Sequence, residues 1–346
     1  MTLEIFTVYA RLFLNMIPLL LRGQKHIHLF FKREAIFLSV IAALIVASAL
    51  LFPYPIAAMW LGFGIAGYSA IANDSIQTLG TFLSSNGKMR WWILWLFIGG
   101  ILVLTYASGW YLNAGDIAFD RLSEIPQPLS FSFLTLSAPI ILLILTRLRM
   151  PVSTTFLLLS TFSSAVVIQK MLLKTFAGYI IAFTIALVVW SWIAQVRSTS
   201  PKKYNRNLWR ILQACSTGFL WWAWLMQDTA NVAVFLPRAL SMQQMIIAVG
   251  YLFCVIGILM YRRGGPIQSI VTEKTDIVDT RAATIIDFVY AMILLIFKYW
   301  SHVPMSTTWV FLGLLAGREI AFMRAMKRES LFGPSDFDPH ANGSSK

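Results

Sequence analysis

The sequence is short of the residues on which most catalytic and metal-binding proteins depend. Charged side chains make up only 12% of its 346 residues, four residues are histidine and two are cysteine. Cys215 and Cys254 lie in apolar runs without metal or redox spacing, so we expect two buried thiols and no disulfide. His302 is the only histidine near the boundary of an apolar run, and a single histidine does not make a metal site. No nucleophile occurs in a pattern with a base, so the sequence predicts a protein that is not an enzyme.

Apolar residues dominate instead. They make up 58% of the chain, and the mean hydropathy is +0.70. This composition lies outside the range of soluble domains and indicates a polytopic membrane protein. The formal net charge is +13, but Lys and Arg lie mostly in short loops, as the positive-inside rule expects. We therefore expect the lipid bilayer and no nucleic acid as partner, and the bacterial plasma (inner) membrane as location.

Apolar runs long enough to cross a bilayer, which takes about 20 residues, divide the chain into two halves. We predict crossings at 35–52, 56–83, 91–112, 129–146 and from Pro151 onward in the first half, and at 172–194, 208–236, 242–261, 282–300 and 305–322 in the second. The predicted domains are an N-terminal interfacial or spanning helix with a basic loop (1–34), a first transmembrane repeat (35–170), a second transmembrane repeat (171–323) and a polar C-terminal tail (324–346).

The two halves carry the same polar interruptions in the same order. Asn73-Asp74 and Gln227-Asp228 each place an acid beside an amide, and Ser153–Thr155 and Ser306–Thr308 are both Ser-Thr-Thr. The serine follows the acid by 79 residues in the first half and by 78 in the second, which indicates an internal duplication. Five crossings in the first copy would invert the second. The predicted fold is an all-α polytopic membrane protein of about 10 or 11 transmembrane helices in two inverted repeats, with broken or re-entrant helices at the midplane, as in secondary transporters.

Hydroxyl residues at the start of an apolar helix favour an anion site. Ser and Thr cap the first turn, while the free N–H groups and the positive end of the helix dipole point at whatever lies before them. Two such ends from opposed repeats would hold a tetrahedral oxyanion with N–H and O–H donors alone. The candidate substrate ligands of this kind are Ser153, Thr154, Thr155, Ser306, Thr307 and Thr308. The alternative is that these hydroxyls only bond back to carbonyls of their own helix.

The two acids would supply the opposite charge. A carboxylate at the centre of a bilayer costs roughly 2.5 kcal/mol or more, so an acid there usually has a function. With neighbouring oxygens it suits a small hard cation, or it carries a proton, and either role couples anion movement to an ion gradient. The candidate ion-coupling residues are Asn73, Asp74, Thr78, Gln227, Asp228 and Thr229. The alternative is that either acid is a helix N-cap.

Together these motifs resemble those of the inorganic phosphate transporter (PiT) family. The matching residues are Ala72, Asn73, Asp74, Gly80 and Thr81, then Asp228, Ala230 and Asn231, the segments 151–155 and 304–308, and the loop 264–272. The resemblance implies symport of phosphate with Na⁺ or H⁺, with no cofactor besides the coupling ion, and a homodimer. It also implies that the acid motifs help to bind the oxyanion, through Asn73, Asp74, Asp228 and Asn231.

The sequence departs from the family pattern at five of these positions. Gln77 and Gln227 replace asparagines, Val234 replaces a glycine, and Phe156 and Trp309 replace histidines. Two alternatives therefore stand beside a phosphate symporter. One is a sulfate permease of the same fold, and the other is a membrane sensor or scaffold that does not transport.

Overall fold

A computed structural model of the chain describes residues 24–148, 150, 152–197, 205–262 and 280–332. Every regular element in this part of the chain is a helix, which confirms the all-α class. Several predicted segments fall outside the described residues: the N-terminal helix up to residue 23, Pro151, the loop 264–272 and the tail from 333.

The described residues form nine α-helices and one short π-helix. The α-helices are α1 (Gln24–Leu51), α2 (Pro55–Ser85), α3 (Trp91–Leu112), α4 (Phe133–Arg147), α5 (Ala165–Arg197), α6 (Arg206–Ala233), α7 (Met242–Tyr261), α8 (Thr280–Trp300) and α9 (Thr307–Phe332), and the π-helix is Thr155–Leu159. The helix α1 belongs to a unit of its own, separate from the body that begins at Phe52.

The helix boundaries follow from local chemistry. Pro55 opens α2, a position where its missing N–H is not needed. Ser132 caps α4 by accepting a hydrogen bond from the backbone N–H of Thr135, and Ser241 forms a capping box with Gln244 at the start of α7. These signals are visible in the sequence, and α2 and α7 begin and end close to the predicted residues, as does α3.

Five of the described helices are long and apolar enough to cross a membrane: 34–51, 55–74, 91–112, 165–193 and 242–261. The helix α4 is apolar but has only 15 residues. In the body of the protein α2 packs along α4, α3 along α7, α5 along α9 and α6 along α8, while α2 and α6 also contact each other. The chain is therefore an integral membrane protein built of helices.

Small residues allow the closest of these approaches. A Cβ added to Gly313 on α9 would lie 2.5 Å from the carbonyl oxygen of Tyr179 on α5, and one added to Gly317 would overlap the carbonyl oxygen of Phe183. The two glycines are four residues apart, the spacing at which membrane helices pack backbone against backbone. Gly313 and Gly317 are therefore close-packing positions.

Aromatic donors tie the other helices together. The indole N–H of Trp95 donates to the Phe253 carbonyl at 2.9 Å, and the indole N–H of Trp221 donates to the Ile98 carbonyl at 3.0 Å. The Tyr251 hydroxyl on α7 donates to a carbonyl of α2 at 2.6 Å. Each bond joins a side chain of one helix to the backbone of another, and so fixes the rotation of the helices about their axes.

The structure departs from the predicted crossings in the first half. The run from Pro151 does not form a long helix, because only the five-residue π-helix Thr155–Leu159 follows the first Ser-Thr-Thr. The next helix then begins at Ala165, seven residues before the predicted start at 172. In addition, the predicted basic loop up to residue 34 is helical from Gln24 onward.

The prediction of two buried thiols was wrong. Both Cys215 on α6 and Cys254 on α7 are exposed on the surface of the described structure. An apolar run in a membrane protein has a face toward lipid as well as a face toward the protein, and hydropathy does not separate the two.

Candidate functional site

The predicted site residues converge where α2 and α6 pack together. Asp74 lies on α2 with 0% of its surface exposed, and Asp228 lies near the end of α6 with 2% exposed. The Ser-Thr-Thr segments reach the same place from the residues before the π-helix and from the start of α9. Two carboxylates so deeply buried need partners, and the hydroxyls provide them.

Each acid accepts a hydrogen bond from the middle hydroxyl of the Ser-Thr-Thr in its own half of the chain. The Thr154 hydroxyl donates to Asp74 Oδ2 at 2.7 Å. The Thr307 hydroxyl donates to Asp228 Oδ2 at 2.5 Å. Acid and hydroxyl motifs 80 and 79 residues apart in sequence are thus in direct contact.

Two amides bridge the halves. Gln77 follows Asp74 by three residues, and its Nε2 donates to Asp74 Oδ1 at 3.3 Å and to the Thr308 hydroxyl at 3.0 Å. Asn231 follows Asp228 by three residues, and its Nδ2 donates to Asp228 Oδ1 at 2.8 Å and to the Thr154 hydroxyl at 3.0 Å. A continuous chain of hydrogen bonds, Asp74 to Thr154 to Asn231 to Asp228, therefore links the two acids.

The third hydroxyls make a reciprocal contact. Thr155 Oγ1 donates to the carbonyl oxygen of Met305 at 3.1 Å, and Thr308 Oγ1 donates to the carbonyl oxygen of Val152 at 3.3 Å. Each acceptor is the residue just before the other Ser-Thr-Thr. Thr155 also lies 3.4 Å from Asp228 Oδ1, across the halves. The two segments hold each other by equivalent groups.

The serines cap the turns that follow them. Ser153 Oγ accepts from the backbone N–H of Phe156 at 3.2 Å, and Ser306 Oγ accepts from the backbone N–H of Trp309 at 3.4 Å. The predicted helix-dipole effect applies only to Ser306, which opens the 26-residue α9. The five-residue π-helix after Ser153 is too short to have a substantial dipole.

The remaining candidates anchor the site to its surroundings. Asn73 Nδ2 donates to the Thr146 hydroxyl on α4 at 3.2 Å, and Gln227 Nε2 donates to the Leu294 carbonyl on α8 at 2.6 Å. Thr78 is fully buried on α2. The Thr229 hydroxyl instead contacts Tyr106 on α3 and the carbonyl of Leu225, so the described contacts do not bring it into the acid network.

Four amide oxygens of the site have no hydrogen-bond partner in the described structure. They are Asn73 Oδ1, Gln77 Oε1, Gln227 Oε1 and Asn231 Oδ1. In every case the nitrogen of the same amide is bonded and the oxygen is left over. An unpaired buried acceptor costs about 1–3 kcal/mol, and each of these oxygens can accept a hydrogen bond or coordinate a cation.

Two participants were not predicted as ligands. Gln77 was counted as a departure from the family pattern, yet its nitrogen makes bonds equivalent to those of Asn231. The shared spacing of three residues after each acid would have identified it. Tyr290 on α8 is fully buried and donates to the Thr307 carbonyl at 2.9 Å, and no repeat in the sequence marks it.

The fold and the site together define a helical integral membrane protein with a buried polar centre formed by two acid motifs and two hydroxyl motifs. Compared with known proteins, the chain matches no family model, no curated protein and no solved structure. The described residues contain no group of three or more His, Cys, Asp or Glu side chains that would hold a metal ion in the manner of a metalloprotein.

Proposed function

We propose that the protein is a secondary active transporter that moves an inorganic oxyanion, phosphate in the first place, together with Na⁺ or H⁺. The observation that carries the proposal is the pairing of Thr154 with Asp74 and of Thr307 with Asp228 at one buried place. The hydroxyls that would hold an oxyanion are the donors that now satisfy the carboxylates. Anion and carboxylate therefore compete for the same groups.

This competition supplies a reason for coupling. A cation or proton that neutralises Asp74 and Asp228 weakens their hold on Thr154 and Thr307, because hydrogen bonds to charged acceptors are about twice as strong as neutral ones. The freed hydroxyls then donate their hydrogen bonds to the oxyanion instead. Without the cation the buried site holds two negative charges and repels the anion.

The four unpaired amide oxygens support the cation part of the proposal. Together with the two carboxylates they give six side chains with acceptor oxygens, which are the ligands that hard cations prefer. Na⁺ would satisfy several of these oxygens at once, whereas H⁺ would be carried by a carboxylate. Both ions remain in the proposal.

The same set of hydroxyl donors and carboxylate acceptors favours phosphate over sulfate. Phosphate near neutral pH keeps a proton that can donate to a carboxylate, and sulfate has none. A site with hydroxyl donors and carboxylate acceptors suits an anion that is both acceptor and donor. A site with donors alone would suit sulfate.

The reciprocal bonds of Thr155 and Thr308 support an inverted-repeat core. Equivalent residues that contact each other in both directions are characteristic of a two-fold interface. All the site side chains except Ser153 are buried in this conformation. An anion would therefore reach them only after the helices move, as alternating access requires. The family resemblance adds to the proposal a homodimer in the bacterial inner membrane.

The test is uptake of labelled phosphate and labelled sulfate into proteoliposomes, with Na⁺ and pH gradients imposed separately. We expect phosphate uptake driven by one of the two gradients, and its loss in Asp74→Asn and Asp228→Asn. Asparagine still accepts from Thr154 or Thr307, so these variants remove charge while keeping the hydrogen bond. Uptake that is unchanged in both would exclude the proposed ion role. No uptake of either anion by folded protein would favour the sensor or scaffold.

A further inference from the structure

Two cations meet at the end of the helical body formed by the segment 113–132, the start of α5 and the end of α8. Arg121 is 1% exposed and donates to the carbonyl oxygens of Ser301 at 3.5 Å and Val303 at 3.1 Å. Lys174 on α5 is half-buried and donates to the same two oxygens, at 2.7 Å each. Arg121 and Lys174 therefore share two neutral acceptors.

Neither cation has an acid partner. Among the described residues no carboxylate forms an ion pair with Arg121 or Lys174, and Arg121 Nε has no hydrogen-bond partner at all. Burial lowers the pKa of Arg121 to about 10, and the charge of Asp228 opposes this shift. Arg121 therefore remains a cation at neutral pH, and no described carboxylate forms an ion pair with it or with Lys174.

The acids nearby are occupied with other groups. Glu124 pairs with Lys170 at 2.8 Å, one turn before Lys174 on the same helix. Asp116 accepts from two backbone N–H groups of its own segment, at 2.6 and 2.7 Å. Asp120 lies 3.4 Å from His302. Carboxylates are therefore present near Arg121 and Lys174, but each of them is bonded to another group.

The backbone before Arg121 is in a strained conformation. Phe119 and Asp120 have φ values of 55° and 61°, in the left-handed region that non-glycine residues rarely adopt. Two consecutive residues of this kind cost of order 1–3 kcal/mol each, and such strain is concentrated at functional positions. Here it turns the chain so that Arg121 enters the protein.

The shared acceptors belong to a segment that leads into the buried site. Residues 301–306 connect α8 to α9, and the backbone N–H of Ser306 donates to the Thr175 hydroxyl, the neighbour of Lys174, at 3.0 Å. Arg121, Lys174 and Thr175 thus hold the segment that carries the second Ser-Thr-Thr. A charged oxyanion is a better acceptor for both cations than a peptide carbonyl.

We propose that Arg121 and Lys174 form a docking site for a small tetrahedral oxyanion, which replaces the carbonyls of Ser301 and Val303 as their acceptor. The inference rests on the proposed function only in taking this anion to be the transported one. The anion would approach from the side of Lys174, which is half-buried. The planar guanidinium of Arg121 presents paired N–H donors that suit an oxyanion. The exchange loosens the segment 301–306.

Binding is tested apart from transport in the purified full chain in detergent. The background is Thr154→Val with Thr307→Val, which removes the two hydroxyls that bond the acids of the buried centre. We expect inorganic phosphate and sulfate, but not chloride at equal ionic strength, to raise the thermal unfolding midpoint. Adding Lys174→Gln should raise the phosphate concentration needed for half of this effect about tenfold. Lys170→Gln, whose lysine is paired with Glu124, should leave it unchanged.

Transport kinetics separate this inference from the proposed function. If the wild type transports phosphate, Lys174→Gln and Arg121→Lys should raise KM about tenfold and change kcat less than twofold. An unchanged KM in Lys174→Gln, or an unchanged binding midpoint, would overturn the docking site even if transport is found. Binding that depends on Lys174 in a protein that transports nothing would overturn only the proposed function. Stabilisation by phosphatidylglycerol in mixed micelles, with none by free phosphate, would assign the pair to lipid and overturn the inference.

Discussion

The hydroxyl of Thr308 donates to the carbonyl oxygen of Val152, 156 residues earlier in the chain, and Thr155 returns the bond to Met305. These two bonds join the segment before the π-helix to the start of α9. The two acceptors, Val152 and Met305, lie outside the regular helices, and buried irregular backbone in a membrane protein must find its hydrogen bonds within the protein. The two threonines therefore provide a stabilising link between the halves as well as a part of the candidate site.

Replacing either threonine by valine should destabilise the protein. Thr155→Val and Thr308→Val keep the side-chain shape but leave a buried carbonyl without its donor, which costs about 1–3 kcal/mol. Because the two bonds belong to one contact, we expect the double variant to deviate from additivity by about 0.5 kcal/mol or more. The measurement is the free energy of unfolding of the four proteins in a double-mutant cycle.

Thr184→Val is the matched control for this cycle. Thr184 is exposed on α5, and its hydroxyl donates to the Ile180 carbonyl within the same helix. We expect its loss to change stability by less than about 0.5 kcal/mol. An equal loss in Thr184→Val and Thr155→Val would show that the hydroxyls contribute nothing through the contact between the halves.

The unpaired amide oxygens predict that a cation stabilises the protein. If Na⁺ binds them, the unfolding midpoint should be higher in sodium chloride than in choline chloride, since a ligand at a hundred times its Kd adds about 2.7 kcal/mol. Gln227→Met removes one unpaired oxygen while keeping side-chain length, and should abolish most of the difference.

Gln213→Met controls for the loss of a buried amide. Gln213 lies on the same helix as Gln227 and is equally buried, but it belongs to a contact with Asn86 outside the site. Its replacement should leave the effect of sodium intact. A wild type that is no more stable in sodium than in choline would exclude Na⁺ from the site and leave H⁺ as the coupling ion.

The sequence predicted that the acid motifs and the Ser-Thr-Thr motifs meet, because the repeat fixes their order and the cost of burying Asp74 and Asp228 requires partners. It did not predict that Gln77 takes part. Thr154 and Thr307 were candidates for binding the substrate, and the structure shows them bonded to the acids, which no local pattern in the sequence indicates. The direction of the Thr229 side chain toward Tyr106 could not be predicted, since it depends on how α6 is rotated against α3.

The helix boundaries show a similar limit. Proline, serine and aromatic residues mark the ends of α2 and α7 in the sequence. The break between the π-helix and α5 does have a mark, the mostly polar run 160–164, whose Ser164 accepts a hydrogen bond from the backbone N–H of Val167 at the start of α5. The sequence does not show that the residues before this run form a π-helix, because tertiary contacts hold Thr154 and Thr155 there. Tertiary packing overrides local helix propensity where buried polar groups must find hydrogen-bond partners.

The contact between α5 and α9 predicts a strong effect of small substitutions. Gly313→Ala and Gly317→Ala each place a methyl group against a backbone carbonyl that has no rotamer with which to move away. We expect a loss of about 1–3 kcal/mol each, as for overpacking in a core.

Gly100→Ala and Gly250→Ala are controls, because nothing lies within 4 Å of the added methyl group. They should be neutral or stabilise by roughly 0.5–1 kcal/mol through helix propensity. Equal effects at all four positions, measured by unfolding, would contradict the close packing.

The strained turn before Arg121 should depend on Asp116. Its carboxylate accepts from the backbone N–H groups of Ala118 and Asp120, and so holds the two left-handed residues in place. Asp116→Ala should lower the free energy of unfolding by about 1–2 kcal/mol, and it should also lower phosphate affinity at the docking site, because Arg121 loses its fixed position.

Asp120→Asn is the matched control, since its exposed pair with His302 contributes at most about 1 kcal/mol. Unfolding and phosphate binding are measured on both variants. If Asp116→Ala lowers stability but binds phosphate as the wild type does, then Arg121 is positioned by its bonds to Ser301 and Val303 rather than by the turn.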